Sequence, residues 1–252
     1  MILGIANPTG GSFSLLGAPQ GKIGEIVKAK IGYMPEIPST VSNVTGVQFV
    51  RHMALLSGLP YEVAMQRTHE VLDYVSLEEE RYRETKNYST GMRQRLLLAQ
   101  ALVHDPAVII CDEPTSGLDP AGREDILALL KDLVSTYGKS IFFSTHILRD
   151  VEQICDHLIL LNHGKVVYEG AISEIKKRKR KGYLIRFTSE AKARDYLNAQ
   201  GIPHRVTHDG IIIDSNIEAQ ELYQQISKIG CGILAFQPYE ISMDDLFIEM
   251  IK

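Results

Sequence analysis

An uninterrupted apolar run, residues 107–111, ends in two adjacent carboxylates, Asp112 and Glu113, and no other stretch constrains the chain so tightly. A strand that is apolar on both sides is covered on both faces, which places it inside a mainly parallel α/β sheet. Its C-terminal end then lies on the edge where open α/β sheets bind ligands. Two anions side by side are costly there unless something compensates them, and Mg²⁺ is the usual compensation. Side chains alternate along a strand, so the pair points two ways, one toward a metal and the next toward an attacking water. In the plainer alternative, one of the two only caps the segment that follows.

The α/β pattern continues on both sides. Between 123 and 137, Ile126, Leu127, Leu129, Leu130, Leu133 and Val134 recur at helical spacing, and Gly138 ends the segment. Residues 140–144 form a second buried strand, so this β-α-β order predicts a right-handed crossover. Upstream, 12–16 and 30–34 read as short strands, the second closed by Pro35. Residues 1–3 read as the last turn of a helix that Gly4 stops, with a turn over 7–11. From Val41 the pattern is helical. Thr45 and Gln48 have capping-box spacing and open a helix to about Ser57. A second helix covers 61–75, and a third begins near Ser89 and ends before His104-Asp105-Pro106. Residues 158–161 and 166–169, joined by Asn162-His163-Gly164-Lys165, make a hairpin.

Residues 176–181 are six consecutive basic residues, read as a solvated linker, with an anionic-lipid contact as the alternative. Beyond Gly182 come a strand (183–187), a helix (190–200), two strands (204–207 and 211–214), a helix (217–229) and a strand (232–236). That is the order of a split βαβ unit. A last helix is expected from Ser242, with Asp245 in capping-box position. His204 and His208 flank a strand without a metal-binding pattern. The expected organisation is a domain over 1–170 with a helical subdomain at about 41–103, a basic linker over 171–182, and a small α+β domain over 183–252.

Bulk properties narrow the partners. A formal net charge of −4 over 252 residues gives no general pull toward nucleic acid or anionic lipid. No apolar run is long enough to cross a bilayer, so membrane association requires a partner. Met1-Ile2-Leu3-Gly4 lacks a signal-like start, and secretion is not expected. Cys111, Cys155 and Cys231 are far apart and form neither a disulfide framework nor a zinc site, which points to a reducing cytosolic setting.

The segment Asp112-Glu113-Pro114-Thr115-Ser116-Gly117-Leu118-Asp119-Pro120 resembles the Walker B segment and D-loop of ABC-family ATPases. The resemblance implies that Asp112 holds Mg²⁺ through water, that Glu113 orients and deprotonates the hydrolytic water, and that Asp119 lines a dimer interface near the nucleotide. Ser144-Thr145-His146 is similar to the family's switch-histidine segment, which implies a γ-phosphate contact for His146. Tyr88-Ser89-Thr90-Gly91-Met92-Arg93-Gln94-Arg95 resembles the ABC signature, LSGGQ in its commonest form, and departs from it at Tyr88, Thr90 and Met92. A helix N-terminus there turns free N–H groups and a positive dipole end toward an anion. Ser89 can donate a hydroxyl and Gly91 permits close backbone approach. By resemblance Ser89, Thr90, Gly91 and Met92 meet the γ-phosphate held by the other subunit, in a variant similar to exporter-type subunits. Ile31-Gly32-Tyr33-Met34-Pro35-Glu36 occupies the place of the Q-loop, which implies a Mg²⁺ contact and a coupling role at Glu36, where the family most often has glutamine.

A P-loop requires Gly-x-x-x-x-Gly-Lys-Ser/Thr between a strand and a helix. Gly138-Lys139-Ser140 runs from helix to strand, and Gly17-Ala18-Pro19-Gln20-Gly21-Lys22-Ile23 has the wrong spacing. The expected fold is therefore an N-terminally truncated, P-loop NTPase-like ABC ATPase core with a mainly parallel sheet and a helical subdomain, followed by the small α+β domain. The expected function is an ATP-binding and ATP-hydrolysing subunit that powers an ABC transporter, in the export direction, using ATP and Mg²⁺. Its expected partners are a transmembrane permease at the cytoplasmic face of the membrane and a second ATPase subunit, in a homo- or heterodimer, with no nucleic acid. The complete domain is expected to hydrolyse ATP and this chain alone is not. The alternative is a non-hydrolytic subunit supplying only the signature half-site to an intact partner. A third reading, an ABC protein acting on ribosomes or DNA, would bring tandem cassettes or a long coiled-coil insert, and neither is present.

Overall fold

A computed structural model of the chain describes residues 2–37, 43–177, 181–214 and 218–240. It divides into two units, Met1–Asp150 and Val151–Lys252. In the first, residues 2–6 are turns and bends rather than a helical turn, with Gly4 left-handed at φ +76°. The strand expected over 12–16 is reduced to β1 (Ser14–Leu15), paired antiparallel with β2 (Ala18–Pro19). The two residues between them, Leu16 and Gly17, both have positive φ, as a tight two-residue hairpin turn demands. A single helical turn, α1 (Glu25–Lys28), precedes β3 (Ile31–Met34).

Among the described residues, three α-helices and two short 3₁₀ turns separate β3 from the next strand. Thr45 starts α2 (Gly46–Leu56) by a reciprocal cap: the Gln48 N–H donates to Thr45 Oγ1 at 3.2 Å, and the Thr45 N–H donates to Gln48 Oε1 at 2.8 Å. Two orphan donors of the first turn are satisfied at once. Val47, Val50 and Ala54 form its buried stripe, and α3 (Tyr61–Tyr74) buries Ala64, Thr68, Val71 and Leu72. Mid-helix Thr68 is tolerated in this core because its hydroxyl donates to the Ala64 carbonyl at 2.6 Å. Helix α4 (Thr90–Leu102) buries Leu96 to Leu98 and packs on β3. There Gly32 is needed for close approach, since a methyl group on it would lie 2.2 Å from the Ala101 carbonyl oxygen. The start of the helical region at 41–42 lies outside the described residues.

The sheet of this unit is parallel, with β3, β4 (Val108–Asp112) and, after α5 (Pro120–Ser135), β5 (Ser140–Ser144) side by side in that order. Helix α5 starts three residues earlier than periodicity predicts. Asp119 caps it, with Oδ1 accepting the Gly122 N–H at 3.1 Å, and Pro120 fills the first helical position, where its missing N–H costs nothing. Ile126, Leu127, Leu130 and Leu133 face the core, while Val134 is exposed.

Helix α6 (Leu148–Ile154) leads into the second unit. The hairpin of β6 (His157–Asn162) and β7 (Lys165–Ala171) follows, turning at His163 and Gly164, both with positive φ. The sequence reading counts this hairpin with the first domain. The chain's contacts divide it after Asp150, so the hairpin, whose two strands pair with each other, is counted with the second unit. After α7 (Ile172–Lys177) come β8 (Lys181–Phe187), α8 (Glu190–Ala199), β9 (His204–Thr207), β10 (Gly210–Asp214), α9 (Ala219–Ile226) and β11 (Ile233–Glu240). Their sheet has the order β11-β8-β10-β9, with every neighbour antiparallel. Strand β10 is thus inserted between β8 and β9, the two strands that α8 connects. Period-2 alternation puts Ile185, Phe187, Ile211 and Ile213 on one face, where they pack with Ala193 and Leu197 of α8 and Leu222 and Ile226 of α9. Half of the basic run (178–180), the expected start of α9 at Ile217 and the helix expected from Ser242 lie outside the described residues. Among the described residues no helix is long and apolar enough to cross a membrane.

Candidate functional site

The site is built where the parallel strands end. Along β4, Cys111 points into the core and burial pushes its thiol up to about 12, so it is an inert hydrophobe. Asp112 follows, in register with Ser144 on β5. Glu113 then leaves the strand in the left-handed region, at φ +48°. A non-glycine residue there costs about 1–3 kcal/mol and persists only where its surroundings hold it. Ser144 provides the hold. The Glu113 N–H donates to the Ser144 carbonyl oxygen at 3.2 Å and to its Oγ at 3.1 Å, and the Ser144 hydroxyl donates to Asp112 Oδ1 at 2.6 Å. One hydroxyl therefore fixes both carboxylate residues.

The strained backbone turns Glu113 across the edge toward the segment after β5. His146 Nδ1 lies 3.0 Å from both Glu113 carboxylate oxygens. A carboxylate only accepts, so Nδ1 carries the proton and donates. The Glu113 side chain is 18% exposed and that of His146 74%, so the carboxylate is sheltered while the ring faces outward. On β3, burial first and the Asp112 charge second push the Tyr33 hydroxyl above its ordinary range.

The expected residues fall into two groups. Asp112, Glu113 and His146 come together at one edge of the sheet. Glu36 lies just past β3, exposed, and makes no hydrogen bond to any of these three. Ser89 caps α4, its Oγ accepting the Met92 N–H at 3.3 Å. The tip formed by Ser89, Thr90, Gly91 and Met92 makes no bond to Glu113 or His146. It lies instead against the loop that leads to Asp119, since a methyl group on Gly117 would sit 3.4 Å from Thr90 Cγ2. Ser89, Gly91 and Met92 line a cleft of about 240 Å³ with Arg95 and Gly122. Asp119 is exposed and uses one carboxylate oxygen as the cap of α5. Missing from the sequence reading were the roles of Ser144 and of Asp150, the buried acceptor of the Thr115 hydroxyl. The sequence signal for Ser144 is its place at the end of a strand, in the segment that resembles the switch-histidine motif.

Among the described residues no three His, Cys, Asp or Glu side chains are grouped as a metal cage. Mg²⁺ does not require one, because it takes one or two carboxylates and keeps water or phosphate in its other positions. Asp112 suits that pattern: its Oδ1 is taken by Ser144 and its Oδ2 is left available.

Residues 1–116 match the family described as ABC transporter. The bacitracin transport ATP-binding protein BcrA of Bacillus licheniformis is 32% identical over 255 residues, spanning 100% of this chain and 82% of that protein. The chain belongs to the ABC transporter ATP-binding protein family. An ABC transporter ATP-binding protein of Bacillus subtilis (strain 168) is 30% identical over 257 residues, covering 84% of that relative. Nod factor export ATP-binding protein I of Cupriavidus metallidurans is 32% identical over 175 residues, 69% of this chain and 57% of that protein. Among solved structures, a dimeric ATP-binding cassette in a post-hydrolysis state with ADP and Pi matches 68% of this chain and 79% of its own, with a TM-score of 0.60 and 26% identity. The cbiO1 subunit of Clostridium perfringens, part of the ABC transporter complex cbiONQ, matches 69% of this chain and 71% of its own, with a TM-score of 0.62 and 28% identity. The fold is that of ABC ATPase domains, and ATP hydrolysis is the activity of this family.

Proposed function

We propose that the chain serves as the ATP-binding subunit of an ABC exporter, paired with a second ATPase subunit and driving a transmembrane permease from the cytoplasmic face of the membrane, with ATP hydrolysed by the complete ATPase domain rather than by this chain alone. One observation carries the reading: Glu113 and His146 share a hydrogen bond at the C-terminal edge of a parallel sheet, beside Asp112. In that arrangement the Glu113 carboxylate accepts the proton of the attacking water. His146 keeps the carboxylate in place through Nδ1, and as imidazolium it also offers Nε2–H to a phosphate oxygen. Asp112 would hold Mg²⁺, which would supply neutralisation of phosphate charge. The α4 tip, Ser89 to Met92, presents its free N–H groups to the γ-phosphate on the partner subunit, and Asp119 lines that interface. Glu36, two residues past β3, relays the state of the site to the permease.

Export is favoured by the name of one relative, a Nod factor export ATP-binding protein. A second reading rests on the exposed α4 tip, which makes no bond to Glu113 or His146. In it the chain contributes only that tip to an intact partner and hydrolyses nothing itself. Association separates the two. With ATP, Glu113→Gln assembled with its partner subunit should accumulate as a stable dimer that the unsubstituted protein forms only transiently. Equal dimer lifetimes for the two proteins would leave the tip-only reading standing.

A further inference from the structure

Thr115 and Asp150 are 0% and 1% exposed, polar residues sealed inside the first unit. The Thr115 hydroxyl donates to Asp150 Oδ2 at 2.5 Å. The other carboxylate oxygen has no hydrogen-bond partner among the described residues and lies 4.0 Å from Arg123 Nε, which is buried and also without such a partner. Burying a carboxylate this completely is costly unless its charge and lone pairs are met. The location of the cluster accounts for its retention.

Thr115 is two residues past Glu113, in a turn closed by the Ser116 N–H donating to the Glu113 carbonyl at 3.0 Å. Asp150 is four residues past His146, in the first turn of α6, with its N–H on the Ile147 carbonyl at 3.1 Å. Arg123 is in the first turn of α5, with its N–H on the Asp119 carbonyl at 3.0 Å. One buried carboxylate therefore meets the segments that carry Glu113, His146 and Asp119. The Glu113–His146 hydrogen bond joins two side chains, one on a strained backbone and one on a mostly exposed ring. Its length follows from how firmly the two segments are held against each other.

We propose that Asp150 is a positioning residue: through Thr115 and Arg123 it clamps the segment carrying His146 to the segment carrying Glu113 and so sets the contact between them. The clamp is a statement about geometry, and only its consequence for turnover rests on the function proposed above.

Thr115→Val keeps the shape and removes the hydroxyl, and Thr115→Ser restores a hydroxyl. Crystal structures, or NOE contacts between the His146 ring and the Glu113 side chain, report the clamp directly in the purified protein. In Thr115→Val the Glu113–His146 separation should open beyond hydrogen-bond reach, and in Thr115→Ser it should return. In the assembled ATPase, kcat should fall roughly 10- to 100-fold in Thr115→Val, as a misplacement of about 1 Å does, with KM for ATP held within about twofold. A contact that stays at hydrogen-bond length in Thr115→Val overturns the proposal whatever the rate, because the pair would then be packing only. Should that variant not fold, the Thr115→Ala structure decides by the same criterion, since it too removes the hydroxyl that Asp150 accepts. An opened contact in a protein whose unsubstituted form turns over no ATP would uphold the clamp and remove the proposed hydrolysis.

Discussion

The two larger sheets among the described residues have edges that do opposite things. In β3-β4-β5 all strands run one way, so their C-terminal ends gather on one side, and Asp112, Glu113, Ser144 and His146 meet there. In β11-β8-β10-β9 every neighbour is antiparallel, so each edge receives strand starts and strand ends in turn. What that sheet gathers is a face, with Ile185, Phe187, Ile211 and Ile213 under two helices. Parallel pairing concentrates polar strand ends into a rim, while antiparallel pairing with one covered face concentrates apolar side chains into a core. The chemistry of the rim and the stability of the core should therefore respond separately to substitution.

Glu113→Gln at the rim should lower ATP turnover of the assembled ATPase by roughly 10²- to 10⁴-fold, the worth of a positioned general base. Its unfolding free energy should change by no more than about 1 kcal/mol, read from denaturant titration. Leu197→Ala, in the core of the second unit, should do the reverse. It should cost about 2–5 kcal/mol of stability and leave turnover per folded molecule intact. If either substitution moved both quantities strongly, the separation would be broken.

A finer comparison lies within the first unit, where Thr45 and Ser89 both cap helices by accepting an N–H. Replacing either by Ala should cost about 1 kcal/mol of stability. Only Ser89→Ala should also slow turnover, because only that helix tip faces a phosphate in the proposed dimer. Equal kinetics for the two variants would remove Ser89 from the site.

The smallest effect belongs to the other edge of the parallel sheet. His104 Nε2 donates to the carbonyl of Ile31, the first residue of β3, at 3.0 Å. Burial holds its imidazole below the usual 6.5, against the opposing pull of that carbonyl and of Asp105. The folded ring therefore stays neutral where the unfolded one takes up a proton. This stability is present above about pH 6.5 and is lost as pH falls toward the lower folded value. Denaturant midpoints from pH 7 to pH 5 should decline less steeply in His104→Gln than in the unsubstituted protein. Parallel declines would show that another group sets the acid limit.

Legibility in the sequence followed the range of the physics. The Thr45 cap, the ends of α2 and α3 and the apolar strand β4 rest on residues within four positions of each other, and periodicity and capping chemistry report them directly. The start of α5 was written in Asp119 and Pro120 as well, but that signal overlaps a segment whose resemblance assigns Asp119 to an interface. Asp112, Glu113 and His146 could be nominated from strand ends and motif. Their meeting could not, since it depends on the β4–β5 register and on the left-handed φ of Glu113. Ser144 and Asp150 act across 32 and 35 residues of sequence, through bonds that no local pattern encodes. Short helices such as α6 were missed because seven residues hold too few periods to read.

Glu113 and His146 are proposed to work as one unit, and a double-mutant cycle on ATP turnover of the assembled ATPase measures that directly. If they do, the protein carrying both Glu113→Gln and His146→Ala should be no slower than the slower of the two single variants, as expected of groups that share one function. Losses that multiply in the double variant would mean that the two residues act independently, and the shared site would be contradicted.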